Sequence, residues 1–349
     1  IKKSKHSRLV LNTLMILNVP FVGVKEIKRL DMKIALILID PNISVPPKGW
    51  GAIEKYMWEY KVNLEKLGHQ VELCYPNSTD LDTFDIVQVH TSNQALYLAQ
   101  RGIPYIFSFD DTHAVYYGKD SELYKNNLKA IEQSELSIMH GEFLLDYFDS
   151  DKMVYLEHGA NPNTFRNINP TLTYQGHKLL CVGRTDQDDR KGIILSIEVA
   201  KELNLPITIV GPNEEFFSNN NIKYDKLTII GNQNDDELVK LYNEHTIFLH
   251  PSKLETGQPN LTLIESIYCG TPVVGTCDIE ILGMRNIQPT KESLIEGVND
   301  VINNFDDFQK QCFDLKDSKI YDWHSITKKL ITLIKPFFIR KHIHKLKVK

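Results

Sequence analysis

Several things are scarce in this chain, and each scarcity removes a class of protein. Five cysteines occur in 349 residues, at Cys74, Cys181, Cys269, Cys277 and Cys312, and no two form a Cys-x-x-Cys pair. Most sit in apolar runs, so they read as buried thiols of a reducing compartment and not as a disulfide framework. Positive charge is not in excess: 40 Lys and Arg face 45 Asp and Glu, for a net charge of -5. A general nucleic-acid role needs a basic surface and is disfavoured. There is no Gly-x-Gly-x-x-Gly, and no acid on a second strand stands where an NAD ribose would need it, which disfavours a dinucleotide dehydrogenase. The longest apolar run, LVLNTLMILNVPFVGV behind the basic IKKSKHSR, is short for a membrane span and is broken by Asn12, Asn18 and Pro20. No repeat of solenoid period and no low-complexity tract is present.

What remains is ordinary for a globular protein, at 42% hydrophobic and 24% charged residues. The length implies about two domains. Residues 1–31 read as an N-terminal extension. From Met32 short apolar strands alternate with helical stretches, at Lys33–Ile39, Gln70–Cys74, Ile86–Val89, Tyr105–Phe109, Leu136–Met139 and Val154–Leu156. That alternation predicts a parallel sheet with helices on both faces. His158–Gln175, rich in Asn, Pro and Thr, reads as a linker. A second alternating domain follows, with strands near Leu180, Ile209, Ile229, Phe248 and Val273. The expected division is 32–160, 161–320 and a last segment, 321–349.

The segment LHPSKLETGQPNLTLIESIYCGTPVVGT carries the most chemistry. A helix beginning near Pro259, a residue suited to the first helical position, leaves amides of Asn260, Leu261 and Thr262 for a phosphate. Glu265, further along that helix, is placed to accept from two vicinal hydroxyls such as those of a ribose. Upstream, Arg184 ends one strand and Lys191 opens the next helix. Ligands of open α/β sheets gather at the carboxyl ends of strands, so these two cations are expected to face a diphosphate. Gly49 and Gly51 in KGWGAIEKY permit close backbone approach to a bound ligand. His90 and the cluster Asp110, Asp111 and His113 end two neighbouring strands and are candidates for ligand contacts. Asp186–Gln187–Asp188 has the form of a metal-binding Asp-x-Asp, but it lies where cations already neutralise phosphate, and no metal is expected.

With these residues in view, the chain resembles the retaining glycosyltransferases of family 4, which have the GT-B fold of two Rossmann-like doubly wound domains facing a cleft. The resemblance runs from about Met32 to Leu333. It rests on KIALILI with KGWGAIEKY, on LEHGANPNTF, on Val182–Arg184 with Lys191–Gly192, on Pro251 to Glu265, and on YDWHSI at Trp323. It implies transfer of a sugar from a UDP- or GDP-sugar to a hydroxyl of a glycan or lipid-linked glycan, with retention and without a cofactor. It also implies that the helix around Trp323 crosses back to the first domain. Catalytic roles then fall to Arg184, Lys191, Glu255, Asp110 and His113. Donor contacts fall to Gly49, Gly51, Gly257, Asn260, Leu261, Thr262 and Glu265.

Three departures are visible. The family separates its two glutamates by seven residues, whereas nine lie between Glu255 and Glu265. Either Glu255 reaches the donor sugar from upstream or backbone amides near Gly257 take its place. The loop from Arg184 to Lys191 is about two residues longer than usual, and Asp110 stands where the family often has histidine. The altered first glutamate and the histidine replaced by Asp110 keep open a sugar-nucleotide-binding module without catalysis; a third reading is a GT-B-like epimerase or hydrolase acting on the nucleotide sugar alone. The basic tail PFFIRKHIHKLKVK reads as a solvated helix or as a contact with anionic lipid. A cytoplasmic location, with or without a membrane surface, is expected.

Overall fold

A computed structural model describes residues 31–40, 42–49, 51–169, 176–185, 189–211 and 214–347. The expectations made for residues 1–30 and for Asp186–Gln187–Asp188 lie outside these. From Met32 onward the chain forms one compact unit, built around two parallel six-stranded sheets.

The first lobe runs β1 (Lys33–Ile37), α1 (Ala52–Lys66), β2 (Gln70–Cys74), β3 (Ile86–Val89), α2 (Ser92–Gln100), β4 (Ile106–Phe109), α3 (Thr112–Tyr116), α4 (Glu122–Gln133), β5 (Leu136–Met139), α5 (Phe143–Phe148) and β6 (Met153–Tyr155). Its strand order is β2-β1-β3-β4-β5-β6. β3, β4 and β5 are buried throughout, as strands covered on both faces must be.

The second lobe runs β7 (Leu179–Val182), α6 (Ile193–Glu202), β8 (Ile207–Val210), α7 (Glu214–Asn219), β9 (Leu227–Ile230), α8 (Asp235–Glu244), β10 (Ile247–His250), α9 (Leu261–Tyr268), β11 (Val273–Gly275), β12 (Met284–Asn286), α10 (Lys291–Asn303) and α11 (Phe305–Ser318). Its order is β12-β11-β10-β7-β8-β9. Leu238, Val239, Leu263 and Ile267 from α8 and α9 cover one face. Ile193, Ile197, Leu294 and Val298 from α6 and α10 cover the other.

Strand order decides where a ligand can sit. In the first lobe the chain lays β2 on one side of β1 and β3 on the other. In the second it lays β8 on one side of β7 and β10 on the other. A crevice opens at such a reversal, outside the carboxyl ends of the two strands. The loops after β1 and β3 carry Gly49, Gly51 and His90, and those after β7 and β10 carry Arg184, Lys191 and Glu255.

Two sequence expectations change. The described part of the stretch read as a linker, 158–169, packs at two points: Ala160 bridges Asp322, and Phe165 is buried, because an apolar ring among turn-forming residues still seeks the interior. Likewise, α9 starts at Leu261 and not near Pro259. Asn260 is its N-cap and accepts from Thr262 N at 3.2 Å, the stronger of the two start signals here.

The last helix, α12 (Trp323–Lys347), returns to the first lobe. Trp323 meets Tyr60 edge-on at 5.5 Å, Lys329 pairs with Glu157, and His342 lies 3.6 Å from Asp85. No helix among the described residues is long and apolar enough to cross a membrane.

Candidate active site

On the second lobe the site is a knot of charge around Glu255. Its Oε1 meets Lys191 Nζ, accepts from Ser252 Oγ at 2.7 Å, and lies 3.5 Å from Arg190 Nη1. Asn260 Nδ2 donates to its Oε2 at 3.3 Å. Burial alone would raise this carboxyl, but the cations overcome it and hold the pKa at about 2. His250, 3.8 Å away, is itself pushed down to about 4 by burial. It is therefore neutral at neutral pH, where Lys191 and Arg190 carry the effect. Arg184 stands just past β7 with its side chain exposed, so within this lobe Lys191 joins Arg190 on Glu255.

The two helix starts at this crevice differ. Asp189 closes that of α6, accepting from Ile193 N at 2.7 Å and Ile194 N at 3.2 Å. The start of α9 is capped by the neutral Asn260. A carboxylate offsets the positive end of a helix dipole, whereas an amide leaves it, so α9 keeps the field that attracts an anion. Glu265 lies further along α9, with its side chain 2% exposed.

The first lobe contributes a cluster beneath Asp110. Tyr56 OH donates to Asp110 Oδ2 and lies 2.6 Å from His90 Nδ1, and His90 Nδ1 lies 3.3 Å from the same carboxylate oxygen. Burial works against the Asp110 charge, but the hydrogen bond to His90 and the neighbours behind it bring its pKa below the usual value. Of the three residues grouped in the sequence reading, only Asp110 faces inward. Asp111 caps α3 and accepts from Asn127 at 3.0 Å. His113 is 61% exposed and stacks on Tyr117. The cause is α3, which begins at Thr112 and turns successive side chains apart.

Asp110, His140 and His158 each place a potential ligand atom within 4.8 Å of the others. The imidazoles of His140 and His158 are stacked at 4.3 Å with planes 30° apart, so their in-plane lone pairs run alongside one another. His140 Nε2 also meets Ser108 Oγ at 2.9 Å. His140 Nδ1 lies 2.7 Å from Leu156 O, so both nitrogens of this ring are already engaged, whereas metal ligands must converge with free lone pairs.

The lobes meet along a chain of specific contacts. Thr112 Oγ1 and Thr256 Oγ1 are 2.8 Å apart, Gln258 N donates to His140 O at 2.7 Å, and Tyr155 OH donates to Gln258 O at 2.9 Å. Gly257 lies so close to His158 that a Cβ there would be 2.5 Å from the ring. The glycine loop crosses as well. Gly49 has φ +136°, and a Cβ on it would sit 2.8 Å from Asn232 Nδ2, so the close approach expected of this glycine is made to the facing lobe. Beside these contacts lies a cavity of about 330 Å³, lined by Phe143 of the first lobe and by Glu255, Gln258, Cys277 and Asp278 of the second. That volume is at the lower end for small-molecule sites.

Sequence reading missed Arg190, His140, His158 and Lys55. Lys55 bonds Glu265 Oε1 and Asp235 Oδ1, each at 2.7 Å. One signal was available: a lysine in the first turn of a helix opposes the dipole, which suggests that its charge serves something outside the helix.

With this geometry in place, comparison with known proteins is informative. Residues 176–304 match the family described as glycosyl transferases group 1. The match lies within the second lobe, and the chain as a whole has the GT-B fold. Sucrose-phosphate synthase from Thermosynechococcus elongatus is similar with a TM-score of 0.72 at 16% identity, over 88% of this chain and 100% of that one. AviGT4, a glycosyltransferase involved in avilamycin A biosynthesis, gives 0.65 at 18%, over 88% and 98%. HepE from Anabaena, solved in complex with UDP-glucose, gives 0.65 at 13%, over 87% and 99%. Comparison with curated protein sequences gave no match.

Proposed function

We propose that the protein transfers a sugar from a UDP- or GDP-sugar to a hydroxyl of a glycan or lipid-linked glycan, with retention of configuration. The observation that carries this is the start of α9. A neutral cap, a buried carboxylate on the same helix and Lys191 on the adjoining loop share one crevice. Diphosphate suits the helix start and the cations of Lys191 and Arg184, and a ribose suits Glu265. Glu255, already oriented by Lys191 and Asn260, would hold sugar hydroxyls.

In this reading the bond from the anomeric carbon to the donor phosphate oxygen breaks as the acceptor oxygen bonds to the same face. The acceptor proton passes to the departing phosphate, so no protein nucleophile is needed. The protein contributes orientation and fixed charge, and the closed lobes limit donor hydrolysis. Because Arg184, Lys191 and the helix start supply the charge, no divalent cation is assigned a role. Turnover is expected to be unchanged in excess chelator.

The HepE structure with UDP-glucose supports a nucleotide-sugar donor. A thermal-shift screen with UDP-, GDP-, ADP- and CMP-sugars tests donor class, since a ligand of the folded state raises apparent stability. Product analysis with and without acceptor tests the reaction. Binding without sugar release across an acceptor panel would replace transfer with a binding function, and release without acceptor would make the protein a hydrolase.

A further inference from the structure

Lys55 stands one turn into α1, just after the glycine loop of the first lobe, yet its ammonium lies on the second lobe between Glu265 and Asp235 at 2.7 Å from each. It also sits 4.9 Å from the centre of the Phe165 ring. Glu265 is buried, and the two oxygens of its carboxylate differ. Oε1 accepts from Lys55. Oε2 is buried with no donor in hydrogen-bond geometry among the described residues, and the Tyr242 hydroxyl, which faces this carboxylate and favours its charge, is likewise buried without such a partner. A carboxylate oxygen of this kind is costly unless something donates to it.

We infer that Lys55 is a positioning residue for the nucleotide: it holds Glu265 by one oxygen, so that the other is presented, ionised, to a ribose hydroxyl. This rests on the donor reading above and adds the first lobe to nucleotide recognition. The charge count supports it. Two carboxylates, Glu265 and Asp235, share this corner, and without a cation between them each opposes the other's charge. Burial pushes the Glu265 carboxyl up and Lys55 opposes that. Burial works against the Lys55 charge in turn, but Glu265 and Asp235 prevail and raise its pKa. The groups facing Glu265 are Lys55 from α1, Asp235 and Tyr242 from α8, and Cys269 at the end of its own helix. Only Lys55 among them is cationic. A protonated Glu265 would lose much of its acceptor strength toward the ribose.

Calorimetric titration of UDP and GDP, each beside its 2′-deoxy and 3′-deoxy forms, tests this on the full chain and on Lys55→Met, Lys55→Arg and Asp235→Asn. The unaltered protein is expected to lose about tenfold or more in affinity when a ribose hydroxyl is removed, on the scale of one charged hydrogen bond. Lys55→Met should bind the ribonucleotide about tenfold more weakly, discriminate little between ribo and deoxy forms, and weaken further as pH falls. Lys55→Arg should restore most of the discrimination. Asp235→Asn should keep it, because Lys55 remains on Glu265. If Lys55→Met proves unstable, Lys55→Gln, an uncharged side chain that keeps a donor, gives the same comparison. Full discrimination and a flat pH profile in both uncharged variants would make Lys55 a structural bridge and overturn the inference, leaving the donor reading intact. Tighter binding in those variants would make Lys55 a competitor of the ribose and overturn it too. If the unaltered protein binds neither nucleotide, the donor reading falls, and this inference with it.

Discussion

Glu255 and Lys191 form a pair whose protonation matters to both folding and chemistry. The Glu255 pKa falls from 4.5 in its ordinary state to about 2 in the fold. A group depressed in this way stabilises the fold fully above its unfolded value, and the contribution is lost as pH falls toward the folded value. Chemical denaturation should therefore show Glu255→Gln less stable than the parent, by up to about 3 kcal/mol, at pH 5 and above. The difference should shrink steadily between about pH 4.5 and pH 2; a constant difference would remove the ion pair from the account. For catalysis, Arg184→Ala and Lys191→Ala should each lower turnover about tenfold or more, since a charged hydrogen bond is worth roughly 1.5–3 kcal/mol and each 1.36 kcal/mol is about a factor of ten. Steady-state rates near normal in both variants would contradict their place on the diphosphate.

Among the elements, α9 and α6 start alike at strand ends but are finished differently. Asp189 occupies the amides of α6, and Asn260 caps α9. Asn260→Ala should cost about 1 kcal/mol of stability, the usual value of a lost cap, measurable by thermal melting. It should also weaken nucleotide binding, because the side chain supports Glu255 as well as the helix start. Most elements could be read from period and composition: all strands but β12, and α1, α4 and α5, lie within a residue or two of expectation. The α9 boundary was misplaced because proline and asparagine both signal a start, and local pattern alone does not rank them. Segments of about nine residues or fewer carry little periodicity, so short helices are found unevenly: α5 was read, whereas α2 and α3 escaped notice. Missing α3 is what made Asp110 and His113 look like neighbours in function.

For the whole molecule, the meeting of the lobes rests on backbone packing as much as on charge. Gly257 is not at a positive φ, so alanine there meets no backbone strain, only the His158 ring. Gly257→Ala should therefore lower the melting temperature, on the scale of the roughly 1–3 kcal/mol typical of overpacking. Small-angle scattering should show a larger radius of gyration as the lobes are wedged apart. Gly257→Ala combined with His158→Ala should recover much of both; failure of the second change to help would place the strain elsewhere.

Alternating apolar strands and helices, the glycine loop, the helix that carries Glu265 and the order of the charged motifs were legible in the chain alone. Each is a local matter of backbone preference and side-chain period, and two α/β domains follow from them; the GT-B architecture was what the family resemblance implied. The partners of those charges were decided only by folding. Lys55 reaches Glu265 across 210 positions of sequence, and the Asp110 cluster draws on Tyr56, His90 and His140 from different elements. Burial then sets their ionisation, and burial belongs to the packed pair of lobes and to no segment by itself.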